Sequence, residues 1–203
     1  MTDTRDRKKT RERLLDATVD LLRTQGPTAT GTQEILARAD APQGSFYFHF
    51  PDGKDQLVAE ALDRAAAATA EAIVGALQDQ SIAMRSRVET LFRSVAEALA
   101  ADDYRLGCAI GATVLEASST LPAFRRLTEA AFASWRSVLT KYLLAEGIAA
   151  ARADVLADDV IVGLEGATML ARARRDTSPL IQTGIMLATV IDADVREAEQ
   201  GRR

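Results

Sequence analysis

With 203 residues, 47% hydrophobic and 27% charged side chains, the chain is long enough for a sizeable core and reads as a soluble globular protein. No apolar run reaches the roughly 18 residues of a membrane span, the first residues lack the apolar core of a secretory signal, and a single cysteine excludes an internal disulfide; a cytoplasmic protein is expected. A net charge of −4 excludes a uniformly basic surface, so any affinity for nucleic acid must come from local charge.

Ala- and Leu-rich text without period-2 alternation predicts an all-α protein of about nine helices. The first runs from Thr4 to Gln25, where Leu14, Thr18, Leu21 and Leu22 recur as one stripe, and Gly26-Pro27 ends it. Residues 1–13 carry six basic and three acidic side chains. The basic ones before Leu14 suit a phosphate backbone, although residues 2–6 read equally well as a solvated tail. Thr30 opens a second helix, with Thr30-x-x-Gln33 in capping-box spacing and Ile35, Leu36 and Ala39 on one face. Asp40-Ala41-Pro42 makes a turn in which Asp accepts the left-handed conformation. A third helix follows over about Pro42 to Phe50, stopped by Pro51-Asp52-Gly53. Below about 12 residues a helix must be held by packing. Phe46, Phe48 and Phe50, half the chain's phenylalanines, stand here beside Tyr47, and Phe46 with Phe50 at i, i+4 supplies the anchor.

The later helices are expected over about Lys54–Leu77, Ile82–Ala101, Cys108–Ser118, Pro122–Ala145, Ala153–Arg174 and Ser178–Glu197, the last with Ser178-Pro179 as N-cap and N1. Small residues along the fourth allow close helix approach and make it a natural lever. The last two carry Gly163, Gly166, Ala167, Leu170, Ile181 and Ile185 on faces too apolar to leave bare. Pairing with the same helices of a second copy buries them in a four-helix interface; covering the body of a monomer is the plainer alternative.

Helix, tight turn, second helix is the device that lays a recognition helix in the major groove. Thr30, Glu34-Ile35, Arg38-Ala39, Gly44, Tyr47, His49-Phe50-Pro51 and Lys54 together resemble the DNA-binding domain of the TetR family of bacterial transcriptional regulators. Leu106-Gly107-Cys108-Ala109-Ile110-Gly111 and Val114-Leu115-Glu116 resemble its LmrA/YxaF-type members. The resemblance implies a helix-turn-helix domain over 1–53, and an effector-binding and dimerisation domain over 54–203. It also implies that Tyr47, His49 and Lys54 hold phosphates, with a packed helix end as the other reading of His49. Thr32 suits a phosphate at a helix start, and Ser45 a base or phosphate. Gln43 is the candidate for adenine, and Gly44 lets the backbone approach DNA. Gln33 stands where the family has a base-reading Arg, and either reads a base or caps Thr30. Asp40 in place of Gly, Gln43 in place of Lys, and an additional residue in Pro51-Asp52-Gly53-Lys54 bear on the operator sequence.

Zinc spacing, a phosphate loop and a nucleophile elbow are all missing from the sequence; neither catalysis nor a cofactor is expected. The family implies a pocket within the fourth to seventh helices for a small apolar or aromatic effector. Its candidate lining is Leu91, Phe92, Val95, Cys108, Ile110, Val114, Phe132, Trp135 and Met169, each of which is also an ordinary core position. The expected function is a dimeric repressor released by that effector from a palindromic double-stranded operator. A helical interaction protein that kept the fold and lost DNA binding is the alternative. Glu165, in an apolar setting, must be paired, protonated or pocket-facing.

Overall fold

The computed structural model describes residues 4–117 and 121–201, with side chains from Lys9 onward. Among them nine helices and no strand occur: α1 (Thr4–Ala29), α2 (Thr32–Arg38), α3 (Ser45–His49), α4 (Lys54–Leu77), α5 (Met84–Ala101), α6 (Ala109–Ala117), α7 (Pro122–Ala145), α8 (Ala150–Arg174) and α9 (Ser178–Gly201). The all-α expectation holds. The expected end of the sixth helix at Ser118, and the first residues of the tail reading, lie outside the described residues.

Local chemistry sets the ends. α1 is broken at Gly26 (φ 71°, ψ 177°), the conformation of a glycine, directly before Pro27. The turn after α2 passes through Asp40 at φ 46°, as its side chain allows. Ser178 is the first helical residue of α9 and not its N-cap: the Asp176 carboxylate accepts both its N–H and its hydroxyl, which holds the Asp176 pKa below the usual carboxylate range.

The helices gather into two compact units, one of residues up to Ala67 with Cys108–Ala131, the other of Ala68–Gly107 with Phe132–Arg203. α4 and α7 each contribute to both. This division differs from a single cut between Gly53 and Lys54 because α6 packs on α1.

In the first unit Leu14, Leu21, Leu22, Ile35, Phe46, Phe50 and Leu57 are the fully buried centre. Thr18 lies among them because its hydroxyl donates to Leu14 O at 2.7 Å. In the second unit α5 packs against α9 and α8. Phe92 is wholly buried, and a methyl group at Gly184 would stand 2.6 Å from its Cβ. A methyl group at Gly163 would stand 2.7 Å from Leu187. Both glycines are therefore set by close packing inside the chain. Arg87 on α5 is also buried, donating to Leu77 O at 2.9 Å and pairing with Glu146. A charge so deep needs such partners.

Candidate nucleic-acid interface

α3 is shorter than the sequence predicts. Its five residues begin at Ser45; Pro42 to Gly44 form a turn closed by Ser45 N–H on Pro42 O (2.9 Å), and the Ser45 hydroxyl donates to the same carbonyl (2.6 Å). Such a helix stands only because its back is anchored. Phe46 and Phe50 are buried to within 1%, their rings 6.2 Å apart, and the Arg11 guanidinium lies 5.1 Å over the Phe50 ring while pairing with Glu60. Arg64 binds Glu12 and Asp16, tying α4 to α1; the Glu12 hydrogen bond, against an opposing loss of hydration, holds its pKa above the ordinary arginine value. Arg13 donates to Asp40 O (3.0 Å) and so fixes the turn between α2 and α3.

The outward face carries Gln43, Gly44, Tyr47 and Phe48, all exposed, with Ser45 and His49 half-buried at its edge. Gly44 has ordinary helical angles (φ −68°, ψ −16°), and a Cβ there would meet nothing within 4 Å. The fold makes no demand for glycine at 44. Tyr47 packs edge-on against Phe46 (5.0 Å) and His49 edge-on against Phe48 (5.0 Å).

Several expected contributions come out differently. Thr30 is fully buried and donates to Gly26 O (2.6 Å), which leaves its hydroxyl no route to a phosphate. The N-cap of α2 is Gly31, without a side-chain cap, so the Thr30–Gln33 capping box does not form and Gln33 stands exposed. Thr32, half-buried, opens α2. Lys54 donates to Pro27 O (2.9 Å), tying the start of α4 to the α1–α2 connection with two ammonium protons to spare. Arg11 and Arg13 have internal duties and are not simply cations for a DNA backbone. The sequence reading missed Glu116: its carboxylate accepts Thr28 N–H (3.1 Å) and fills the place where a side chain at 26 would go, which explains an acid on apolar α6 opposite a glycine. It also missed Phe48 as an exposed residue, although its place two residues from both Phe46 and Phe50 on a helix sets it opposite the anchor, where it is 61% exposed.

Among the residues expected at a dimer interface, Gly163 and Ala167 turn inward, against Leu187 and into the core respectively. Gly166, Leu170 and Ile185 face outward, and Ile181 is half-buried. The outer stripe is completed by Val155, Val162 and Met169 on α8 and Met186 and Val190 on α9, two helices that pack side by side. Met169, at 59% exposure, therefore belongs to this face and not to a pocket. The other expected effector residues divide between the units. Ile110 is buried, with Val114 and Cys108 half-buried, in the first; Cys108 Sγ accepts Gly111 N–H (3.4 Å). Leu91, Phe92 and Trp135 are buried in the second, with Val95 half-buried and Phe132 edge-on to Trp135 at 5.2 Å. Phe92 is a packing wedge.

No described helix is long and apolar enough to cross a membrane. Residues 14–61 match the family model described as bacterial regulatory proteins, tetR family, and residues 85–185 that of the transcriptional regulator LmrA/YxaF-like C-terminal domain. The chain is similar to an uncharacterised HTH-type transcriptional regulator of Mycobacterium tuberculosis, 32% identical over 193 residues that cover 92% of this chain and 96% of the relative. It is also similar to the HTH-type transcriptional repressor DhaR of a Mycobacterium species, 26% identical over 178 residues, 85% of this chain and 87% of the relative. A crystal structure of a TetR transcriptional regulator from Chloroflexus aurantiacus superposes with a TM-score of 0.77 at 30% identity, over 93% of this chain and 96% of that one.

Proposed function

We propose that this chain, which belongs to the TetR family of bacterial transcriptional regulators with an LmrA/YxaF-like C-terminal domain, works as a homodimeric repressor that a small apolar effector removes from its operator. The observation that carries this reading is the outward face of α3: an unneeded glycine, an amide and two aromatic rings on a rod pinned from behind. Laid in a major groove, Gln43 pairs with an adenine edge while Gly44 admits the backbone. Tyr47, His49, Thr32 and the remaining Lys54 protons hold phosphates, with Ser45 and Gln33 at the margins. Thr30 keeps the α1–α2 connection in shape.

Residues 1–53 serve as the reading head and 54–203 as the regulatory body. A palindromic operator requires two heads about 34–36 Å apart, one helical turn of DNA. The outward stripe of Val162, Gly166, Leu170, Ile185 and Met186 suits a second copy: Gly166 has open space beyond it, inside a helix where glycine costs about 1 kcal/mol relative to alanine. The effector acts by binding better to a head spacing that misfits the operator. Leu91, Val95, Phe132 and Trp135 give the body an apolar, partly aromatic interior for it. The name of DhaR supports repression as the sign of control.

The test is a mobility-shift titration on the DNA upstream of the protein's own gene, over a salt series, with and without planar aromatic compounds. A salt-sensitive complex is expected, weakened about tenfold or more by Tyr47→Ala, lost with Leu170→Glu as the dimer dissociates, and released by at least one compound. No complex with any fragment at low salt leaves a helical interaction protein in place of a regulator.

A further inference from the structure

We infer that Phe48 reads a thymine methyl group in each half-site, an assignment that rests on α3 being the groove-bound helix. The argument begins with position on the rod. At about 100° per residue, Phe48 lies two steps, or about 200°, from both Phe46 and Phe50. Those two rings are the buried anchor, so Phe48 points almost directly away from the core. Gly44, one turn earlier, shares that direction and has nothing around it within 4 Å. Side chains on a helix lean toward its N-terminus, and the bare Gly44 leaves the rod open on that side of Phe48. Tyr47 and Gln43 flank the pair, also exposed.

The chemistry of the ring then selects its target. A phenyl group can neither donate to a phosphate nor pair with a base amide or carbonyl. Apart from carbon–hydrogen edges, the one apolar feature on the floor of the major groove is the C5-methyl of thymine. Tyr47, next to it, has a hydroxyl for the backbone; Phe48 lacks one and is nonetheless 61% exposed. A large apolar side chain held at the crown of a polar-binding face, edge-on to His49 at 5.0 Å, matches a contact that removes a methyl group from water.

The experiment uses the full chain and its Phe48→Ala variant, checked for an unchanged thermal unfolding midpoint. A tight duplex is first selected from a random pool by the unaltered protein. Each thymine of one half-site, with its symmetry mate, is then replaced by deoxyuracil, which removes only the methyl group. The expected result is one symmetric pair whose replacement weakens binding about fourfold per half-site, the weight of one buried methyl, and so on the order of tenfold for the dimer. Phe48→Ala binds the thymine duplex less tightly and no longer distinguishes it from the uracil duplex. Indifference of the unaltered protein to every replacement overturns the assignment, as does a half-site without thymine, or a thymine preference that survives Phe48→Ala. In those cases DNA binding itself stands. A pool that yields no duplex overturns the DNA reading as well.

Discussion

Around the reading head, cations tie separate stretches of chain together: Arg11 to Glu60, Arg64 to Glu12 and Asp16, Arg13 to Asp40 O and Lys54 to Pro27 O. The second unit adds close-packed wedges, Phe92 against Gly184 and Leu187 against Gly163, to its own ion pairs between helices, Arg136 with Asp154 and Asp158 and Arg152 with Asp194; the buried Arg87 faces a carbonyl and Glu146. Ion pairs that water still reaches are each weak and screened by salt, so each such tie can shift by small steps around the buried apolar centre. A close-packed wedge cannot, since its contacts are lost together. Glycine follows the same contrast. Gly163 and Gly184 are filled from inside the chain, while Gly44 and Gly166 open on empty space. Gly44 and Gly166 lie on the two faces proposed to meet DNA and a second copy, while Gly31, Gly75 and Gly201 have open space elsewhere.

The contrast breaks most readily at the wedge. Phe92→Ala is expected to lower stability by about 3–5 kcal/mol, read as a shift of the urea unfolding midpoint at constant slope. Gly184→Ala acts from the other side, because the added methyl must displace Phe92. A loss below about 1 kcal/mol for both would mean that the body yields as easily as the head.

A middle case is Gly26, where the head uses geometry instead of charge. Its φ of 71° with ψ of 177° belongs to glycine, and the Glu116 carboxylate occupies the side-chain position. Gly26→Ala is expected to cost about 1–3 kcal/mol. Adding Glu116→Ala relieves the collision and not the backbone strain, so the double variant should regain only part of the loss in the same unfolding measurement. Full recovery would place the whole effect in the collision.

Much of this was legible in the sequence where the cause is local. The Phe46–Phe50 anchor, the Asp40 turn and the stop at Gly26-Pro27 follow from side-chain spacing and backbone preference over a few residues. α3 came out shorter because Pro42 starts a turn before it starts a helix, and the Ser45 hydroxyl closes that turn. What the sequence did not disclose are partners far apart along the chain: Glu116 with Thr28, Arg11 with Glu60, Arg87 with Glu146. A helical stripe tells which side of a helix is buried and nothing about which helix covers it. That is why Gly163 and Ala167 passed for interface residues when α9 and the core of the same chain already cover them, and why Met169, on the opposite side, passed for a pocket residue.

The smallest effect tests whether charge matters at the start of α9 as it does in the head. Asp176 accepts the hydroxyl and the amide of Ser178, bonds that favour its ionised form and keep its pKa below the ordinary value of about 3.9. The folded state thus binds the Asp176 proton less readily than the unfolded chain, and the stabilisation is complete above the unfolded pKa. It fades as pH falls through 4 toward the lower folded value. Asp176→Asn keeps a carbonyl acceptor and removes the titration, so the unfolding midpoint of the variant should fall less steeply between pH 5 and 3 than that of the parent chain. Because the carboxylate is exposed, the difference should be modest and should shrink in added salt. Identical acid profiles would mean that the hydrogen bonds to Ser178 are too weak in water to hold the helix start, leaving close packing and the Arg152–Asp194 pair to fix α9.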